Sequence, residues 1–523
     1  MTTINLVKPN RYQDSVTLMQ VAVSLRALEG IGEASLMMGT DPNKEILGEA
    51  GLLAPDGEKA GPNDLIIALR GEKSAVEAAQ GKIEELLRAE TPQEAGRERG
   101  EAAPHTIAAG IAALPGTNLV LISTPGLYAA AEARKALLQD RHVMIFSDNV
   151  SIEDEIALKT LASERGLLLM GPDCGTAIIS GVPLGFANAV RRGSIGVVGA
   201  SGTGMQEVTS LIDRYGEGIS HAIGTGSRDL SAQVGGAMTI VGMRALLDDP
   251  QTSVVVVVSK PPHPGVAARI WEEALRSDKP ILFCFLGMDA GLLDRSQGSG
   301  KAVMADTLEE AARRAAALVG GSLPHTSEIR GEDIRGWQGQ LAPTQRYVRG
   351  LFSGGTFCYE AMLILRSTLG PIYSNTPLAP ELMLNVRDPH AALDTTHACL
   401  DMGADEFTVG RPHPMIDMTA RVERIMAEAA DPQVAVLLLD VVLGYGSHPD
   451  PAGALAEAIS NAKAVAAAER RGLAVVASVC GTNADPQGLE TQRKKLASAG
   501  VILAESNAAA ARLASKIAAP SQG

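Results

Sequence analysis

Short apolar segments alternate with amphipathic segments through most of this chain, from about residue 105 to 320 and again from 345 to about 518. Segments 118–123 and 142–147 have the character of strands, and 152–164 has helical spacing. Apolar strands separated by amphipathic helices are typical of parallel sheets covered by helices on both faces. The pattern predicts several α/β domains with three layers, of the Rossmann or flavodoxin-like kind.

The boundaries between the predicted domains follow turn-rich and charged segments. Residues 1–90 alternate short strand-like and helix-like pieces, which predicts a small α/β module of the plait type. Two charged, Pro/Gly-containing segments, 89–104 and 320–344, are interpreted as linkers. A turn cluster and a basic pair place another boundary near residue 190. The predicted domains are 1–90, 105–190 (Rossmann-type), 191–320 and 345–520 (both flavodoxin-type).

Composition excludes several classes of function. Asp and Glu number 60 against 46 Lys and Arg, giving a net charge of −14, and aromatic residues make up 3%. An acidic chain with few rings for stacking is a poor partner for nucleic acid. The longest apolar stretches are much shorter than the ~20 residues of a membrane span. We therefore expect neither a nucleic-acid nor a membrane partner.

The cysteines and the N-terminus bear on location. The five cysteines contain no C-x-x-C pair, which favours neither a zinc site nor a disulfide framework, and no metal is expected. The first residues include a lysine and an asparagine and lack the apolar core of a signal peptide. These observations predict a protein of the reducing cytoplasm.

One local plan occurs twice in the chain. The stretches 197–207 and 350–360 each contain Ser-Gly after a strand, then Thr and Glu. Glycines let an anion approach the backbone, and the first turn of a helix offers unpaired N–H groups. Two such helix starts that face one point would hold a phosphate or carboxylate from both sides, although each Ser-Gly could equally be an ordinary N-cap. The predicted phosphate-binding residues are Ser201, Gly202, Thr203, Gly204, Ser353, Gly354, Gly355 and Thr356.

Histidines and one lysine at predicted strand ends and loops are the catalytic candidates. Lys260 follows an apolar strand, and three histidines precede proline: His263, His413 and His448. A neutral imidazole at the carboxyl end of a parallel sheet can orient a substrate or accept a proton. The alternatives are a solvated lysine and loops that proline merely stiffens.

Three further polar residues are candidates for substrate binding. Arg228 is a cation near the first predicted helix start, Arg411 offers a bidentate fork for a carboxylate, and Asn483 follows a predicted strand. For Arg411, a surface ion pair with Asp417 or Glu423 is the competing interpretation.

Several linked motifs resemble succinyl-CoA synthetase. Residues from about 118 to 318 are similar to its α subunit, and those from about 345 onward to the carboxy-terminal domain of its β subunit. The resemblance implies that the predicted domain 105–190 is CoA-binding-like and that 191–320 and 345–520 are succinyl-CoA synthetase-like. The fusion of both behind a small N-terminal module resembles the FdrA branch of that superfamily. The motifs are Met170-Gly-Pro-Asp-Cys-Gly175, Ile195-Gly-Val-Val-Gly-Ala-Ser-Gly-Thr203, Gly224-Thr-Gly-Ser-Arg-Asp229, Asp249-Pro-Gln-Thr252, Asp431-Pro-Gln-Val434, Leu439-Asp-Val-Val-Leu-Gly-Tyr-Gly446 and Cys480-Gly-Thr-Asn483.

The sequence departs from the ligase pattern at two places, and these departures predict a function that differs from that of the ligases. The stretch 281–295 has no histidine where the ligases carry the one that they phosphorylate, and Lys260 stands near the place of its acidic partner. Only the segment 320–344 stands where the ligases have an ATP-grasp domain.

The resemblance to FdrA therefore implies a subunit of an oxamate carbamoyltransferase-type complex in ureide (allantoin, oxamate) catabolism. It would bind carbamoyl phosphate and oxamate, use no cofactor, and work with companion protein subunits. The alternatives are an acid–thiol ligase or CoA-binding protein, with CoA as cofactor, and a non-catalytic scaffold subunit.

Overall fold

The computed structural model describes residues 2–11, 13, 15–89, 104–289, 291, 302–325, 330–386, 393, 397–408 and 411–519. The chain divides into two compact units. The first contains Met1–Ala113 and Asp405–Asp417, and the second contains Leu114–Ala404 and Met418–Gly523. Most of the predicted linker 89–104, and residues 292–295 of the stretch without histidine, lie outside the described residues.

The first unit is built on a three-stranded antiparallel sheet in the order β1-β3-β2. The central strand is buried on both faces, and its alternate residues serve two cores. Ile67 and Leu69 pack with the helices α1 and α4, whereas Ile66 and Ala68 pack with Leu47. The elements are β1 (Thr2–Lys8), α1 (Ser15–Arg26), β2 (Ile31–Met38), α2 (Asp41–Glu49), α3 (Pro55–Glu58), β3 (Leu65–Gly71), α4 (Lys73–Ala89) and α5 (Ile107–Ala113), with Asp405–Thr408, which is α14 in chain order.

The second unit begins with a small parallel sheet in the order β4-β5-β6. The helices α6 and α7 connect its strands, and Ser151 caps α7 by accepting a hydrogen bond from the Asp154 N–H at 3.1 Å. Its elements are β4 (Leu119–Ile122), α6 (Gly126–Leu137), β5 (His142–Ile145), α7 (Ile152–Glu164) and β6 (Leu169–Met170).

A seven-stranded sheet follows, in the order β13-β12-β11-β9-β10-β7-β8. Its first two strands in the chain, β7 and β8, form a hairpin, and β7 pairs with β10 in antiparallel orientation. The sheet therefore includes residues on both sides of the predicted boundary near 190. The elements are β7 (Thr176–Ile179), β8 (Val182–Gly185), β9 (Arg192–Gly199), α8 (Gly202–Arg214), β10 (Ile219–Gly224), α9 (Ala237–Asp248), β11 (Val254–Ser259), α10 (Pro264–Ala274), β12 (Ile281–Phe285), β13 (Ala302–Met304) and α11 (Leu308–Gly320).

The last sheet has six strands, all parallel, in the order β15-β16-β14-β17-β18-β19. All nine residues of β17 are buried, as expected for a strand covered on both faces. A helix, α12 (Gly331–Gln338), lies inside the segment predicted as the second linker. The other elements are β14 (Tyr347–Phe352), α13 (Gly355–Leu369), β15 (Ile372–Tyr373), a 3₁₀ turn (Pro380–Leu382), β16 (His397–Asp401), α15 (Thr419–Ala430), β17 (Val434–Val442), α16 (Pro451–Ala468), β18 (Ala474–Cys480), α17 (Leu489–Ser498), β19 (Ile502–Ala504) and α18 (Asn507–Ala518).

The predicted fold class is confirmed: the chain is α/β, with several parallel sheets and a small N-terminal α/β module. Because successive parallel strands direct their carboxyl ends to one edge of the sheet, the polar residues that follow those strands are brought together there.

A buried cluster of charged side chains connects α7 to the loop after β10. The Lys159 ammonium, 1% exposed, lies 2.8 Å from carboxylate oxygens of both Glu155 and Asp229 and donates to the Thr225 carbonyl at 2.9 Å. Since both carboxylates are also buried, the lysine balances charge that water cannot reach.

We expect Lys159→Met to lower the free energy of unfolding by about 3–5 kcal/mol, because it leaves the buried Asp229 carboxylate without its cation and leaves Glu155 with Arg228 alone. Urea denaturation measures the loss. The matched control is Lys135→Met, which removes an exposed ion pair with Glu132 on α6 and should cost less than about 1 kcal/mol. Equal losses in the two variants would contradict the assigned role of the cluster.

Candidate functional site

The first helix start of the repeated plan lies between β9 and α8. Ser201 is the N-cap of α8, and its Oγ accepts a hydrogen bond from the Gly204 N–H at 3.1 Å. Ser201, Thr203 and Gly204 are buried, and Gly202 is partly buried. Ser201 therefore performs the capping role that the sequence left open beside anion binding.

The second helix start, between β14 and α13, is capped from another strand. Asp440 of β17, 1% exposed, accepts hydrogen bonds from the Ser353 N–H at 2.8 Å, the Ser353 hydroxyl at 2.8 Å and the Gly354 N–H at 2.9 Å. The guanidinium of Arg421 lies 2.9 Å from the same carboxylate. Two of the N–H groups predicted to bind phosphate thus already bind an internal anion.

The two helix starts meet. The hydroxyls of Ser201 and Thr356 share a hydrogen bond of 2.6 Å. A Cβ on Gly354 would lie 2.9 Å from Thr203 Cγ2, and one on Gly204 would lie 3.2 Å from Thr356 Cγ2. Glycine at these two positions is what allows the N-terminal ends of α8 and α13 to approach this closely. We refer to residues 201–204 and 353–356 as the paired helix starts.

Two charged side chains reach the paired helix starts at Gly355. A Cβ on Gly355 would collide with Asp401 Oδ2 and would lie 3.3 Å from Lys260 Nζ. Strand register explains the placement, because Asp401 pairs with Phe352 at the carboxyl end of β14, and Lys260 directly follows β11. Of the predicted catalytic residues, Lys260 is therefore placed at the site.

Hydrogen-bond donors remain at this junction. Within the part of the chain that the structure describes, the N–H groups of Gly202, Thr203, Gly355 and Thr356 have no hydrogen-bond partner, as expected for first-turn N–H groups. With the Lys260 ammonium and two helix dipoles, they make the junction electropositive. This arrangement can hold a phosphate or a carboxylate group.

The three His-Pro histidines share one local geometry. The Nδ1 of each accepts a hydrogen bond from the backbone N–H two residues further on, at 3.3 Å for His263, 3.2 Å for His413 and 3.0 Å for His448. His263 is in this way the N-cap of α10. These contacts fit the alternative interpretation of structural turns, and a catalytic role for the histidines stays a prediction.

The predicted substrate-binding residues also make local contacts. Arg228 lies 2.7 Å from Glu155 Oε2 and donates to the Val150 carbonyl at 2.7 Å. Asn483 is exposed, and its Oδ1 accepts from the Glu490 N–H at 3.0 Å. Arg411 and His413 belong to the first compact unit, whereas the paired helix starts belong to the second. Substrate binding by these residues stays a prediction.

Sequence reasoning missed the acids around the paired helix starts. Asp401 ends a buried strand, and Asp440 interrupts an apolar run of nine residues. An acid inside such a run was the available signal, because a buried carboxylate needs specific partners.

The glutamates of the repeated plan were noticed, but their contacts were not predicted. Glu207 Oε1 accepts from the Asn507 N–H at 2.9 Å, and Glu360 Oε2 accepts from Asn507 Nδ2 at 2.8 Å. Glu360 Oε1 also accepts from the Leu308 N–H at 2.8 Å. Burial raises the pKa of Glu360 to about 7 and also raises the pKa of Glu207. Asn507, the first residue of α18, therefore connects that helix to both α8 and α13.

Family models match three parts of the chain. A model described as "CoA-ligase" matches residues 351–517, and one described as "CoA binding domain" matches residues 190–287. A third, "AllF, heavy metal-associated domain", matches residues 1–104. One helix start thus lies in each of the two CoA-related regions.

Known proteins match the chain over different lengths. YahF of Escherichia coli (strain K12) is 46% identical over 505 residues, which cover 96% of each protein. The mitochondrial succinate–CoA ligase [ADP-forming] subunit alpha-2 of Trichomonas vaginalis is 28% identical over 33% of this chain and 57% of its own length. The chain therefore spans little more than half of that ligase subunit.

One similar solved structure is the apo form of the dinucleotide-forming acetyl-coenzyme A synthetase 1 of Ca. Korarchaeum cryptofilum. The alignment covers 81% of this chain and 86% of that chain. Its TM-score is 0.32 at 15% sequence identity.

These findings overturn the expected function. The interpretation as an oxamate carbamoyltransferase subunit acting on carbamoyl phosphate is wrong, because two regions of the chain match models of a CoA ligase and a CoA-binding domain, and the Trichomonas vaginalis relative is a succinate–CoA ligase subunit. The physical reason is that N–H groups and an ammonium at paired helix starts attract any phosphate or carboxylate alike. The missing histidine therefore did not identify carbamoyl phosphate, and the alternative of a CoA-binding, ligase-like protein fits better.

The N-terminal match does not come with the residues of a heavy-metal site. Residues 1–104 contain no cysteine. No group of three or more His, Cys, Asp or Glu side chains suited to a metal ion occurs among the described residues. All five cysteines of the chain are buried and outside disulfides.

None of the described helices combines the length and the apolar character that crossing a membrane requires.

The raised pKa of Glu360 makes stability depend on pH. Between pH 4.5, the usual carboxyl pKa, and about pH 7, Glu360 holds a proton in the folded protein that it releases in the unfolded chain. The contribution of Glu360 to the free energy of unfolding therefore falls as the pH rises through this range. We subtract the free energy of unfolding of the wild type from that of Glu360→Gln. We expect this difference to rise by up to about 3 kcal/mol between pH 4.5 and pH 8, because only the wild type loses stability there.

Urea denaturation of both proteins at several pH values tests this expectation. Glu457→Gln, which changes an exposed carboxylate on α16, is the control. A difference between Glu360→Gln and wild type that does not vary with pH would show that the pKa of Glu360 is not raised in the folded protein.

Proposed function

We propose that this chain, which belongs to the FdrA-like family related to succinyl-CoA synthetase, binds CoA and acts on acyl-CoA thioesters as an acid–thiol ligase-like protein. One observation carries the proposal: the Ser201–Thr356 hydrogen bond joins the first helix of the CoA-binding match to the first helix of the CoA-ligase match. The electropositive junction so formed belongs to both regions.

The chemistry of an acid–thiol ligase needs a place where an acyl group, a thiol and a phosphate group meet. In the partial reaction, phosphate attacks the thioester carbonyl, the CoA thiolate leaves, and an acyl phosphate forms. The attacking phosphate, the tetrahedral intermediate, the departing thiolate and the acyl phosphate all carry negative charge at or beside the reacting atoms, and fixed N–H dipoles with an ammonium stabilise that charge. Lys260 and the first-turn N–H groups of α8 and α13 are the groups that we assign to this role.

CoA is the cofactor or co-substrate that the proposal implies. The match to a CoA-binding domain and the first-turn donors of α8 support it. We also place the protein in the cytoplasm, since CoA chemistry is intracellular and five cysteines without disulfides suit a reducing compartment.

Arsenolysis of acyl-CoA tests the proposed activity. Arsenate replaces phosphate, the acyl arsenate hydrolyses, and the released CoA thiol is measured with a thiol reagent. We expect arsenate-dependent thiol release from at least one of acetyl-, propionyl- and succinyl-CoA. Ser201→Ala should lower the rate at least tenfold, because it removes both the cap of α8 and the bond to Thr356.

Ser151→Ala is the matched control, since it removes the N-cap serine of α7, a helix that does not form the paired helix starts. It should leave arsenolysis unchanged. Calorimetric titration with CoA measures binding separately from turnover. No CoA binding by the wild-type protein, together with no thiol release, would refute the proposed function.

A further inference from the structure

The strand β4 forms one edge of the small parallel sheet, and one side of its backbone is unpaired. The carbonyls of Asn118 and Ile122 accept hydrogen bonds from N–H groups at the two ends of β5, at 2.9 and 2.8 Å. Because backbone groups alternate in direction along a strand, the N–H and C=O groups of Leu119 and Leu121 point away from the sheet. Among the described residues, none forms a hydrogen bond to them.

The other edge strands of the described sheets have features that discourage pairing with another chain. Three of them contain a charged residue or a proline, namely Lys8 in β1, Glu33 in β2 and Pro183 in β8. The strands β6, β13, β15 and β19 consist of only two or three residues. Natural proteins protect sheet edges by these means. The four residues of β4 include neither a charge nor a proline, so this edge is built to be covered.

Exposed apolar side chains accompany the open edge. The register of β4 and β5 places Leu121 on the same face as Met144, which is fully buried in the core of the seven-stranded sheet. Leu121 is nevertheless 47% exposed, and Leu119 on that face is only partly buried. The exposed residues that flank the strand in the chain are Leu114, Leu127 and Tyr128. An apolar surface beside unpaired backbone groups is typical of a protein–protein contact.

Charge indicates which partner fits this surface. The chain has a net charge of −14, so copies of it repel one another. No charged side chain occurs between His105 and Glu132, the segment that contains β4. An approach of two copies through this segment therefore brings no like charges together. The edge is also self-complementary, because two identical strands that meet in antiparallel orientation present the same donors and acceptors to each other.

We propose that two copies of this chain associate through β4, which pairs with β4 of the second copy in antiparallel orientation about a two-fold axis. Leu119 of each copy then lies opposite Leu121 of the other, and each of these two pairs exchanges both of its main-chain hydrogen bonds. Val120 lies opposite Val120 of the second copy on the axis. The two three-stranded sheets become one continuous sheet, and their leucines form a shared apolar cluster on one face.

Sedimentation velocity of the full-length protein tests the proposal. Over a concentration range of about 0.1 to 100 µM we expect the wild type to change from a monomer to a dimer. Leu121→Lys should raise the dissociation constant of the dimer by at least about a hundredfold, because it places two charges in the shared apolar cluster. Circular dichroism verifies that the variant is folded.

Leu318→Lys is the matched control. It introduces the same charge at an exposed leucine of α11, outside the uncharged segment, and should dimerise like the wild type.

Cysteine cross-linking tests the register and does not depend on Leu121→Lys being folded. Opposite residues without mutual hydrogen bonds have Cα atoms about 4.5 Å apart, which lies within the range that a disulfide spans. Under oxidation by copper phenanthroline and oxygen, Val120→Cys should therefore form a disulfide-linked dimer. Since all five native cysteines are buried, the cross-link is attributable to position 120. Val182→Cys, on the proline-containing edge strand β8, is the matched control and should stay uncross-linked.

Three results would overturn the proposal. The first is a wild-type protein that stays monomeric at every concentration, including one that binds a strand of a different protein at this edge. The second is a dimer that Leu121→Lys does not weaken, which would place the contact elsewhere. The third is a dimer in which Val120→Cys does not cross-link, which would exclude the antiparallel register.

Discussion

The hydrogen bond between the Ser201 and Thr356 hydroxyls is the contact on which the rest of the site depends. It brings the N-terminal ends of two helices together, which like dipoles oppose, and the approach is possible only because Gly204 and Gly354 lack side chains. Lys260 and Asp401 enter the same space from the ends of β11 and β16, which belong to two different sheets. Asp440 and Asp401 offset part of the positive potential of this junction from within the chain, and the first-turn N–H groups that they do not bind remain as donors for a further anion.

The repetition of Ser-Gly before a helix predicted two helix starts that could face one point, and the structure places them in contact, while anion binding there stays a prediction. A strand followed by Gly and Ser signals a helix N-terminus locally, and parallel sheets direct such termini to one edge. Asp401 and Asp440 could not be found in this way. Their positions follow from the order of strands β16-β14-β17, which sets Asp401 beside Phe352 and Leu439, the neighbour of Asp440, beside Leu351. Strand order is a tertiary property that local sequence does not contain.

The histidines make the local contacts that the sequence offered as the alternative to catalysis, and a catalytic role for them stays a prediction. His263, His413 and His448 each accept a backbone N–H two residues ahead, which is the behaviour of a capping side chain. The substrate assignment went wrong for a related reason: donors at a helix start respond to negative charge and not to the group that carries it. The regions around the paired helix starts, matched to CoA-binding and CoA-ligase domains, supplied the information that the donors themselves lack.

Both paired helix starts lie on one polypeptide, and this has a consequence for how the site survives dilution. When two halves of a site belong to separate chains, the occupied fraction falls as the chains are diluted below their dissociation constant. Here the covalent connection between α8 and α13 gives each half a constant effective concentration of the other, commonly in the millimolar range for tethered modules. The junction therefore assembles as a unimolecular folding event, at a rate and to an extent independent of how many copies a cell contains.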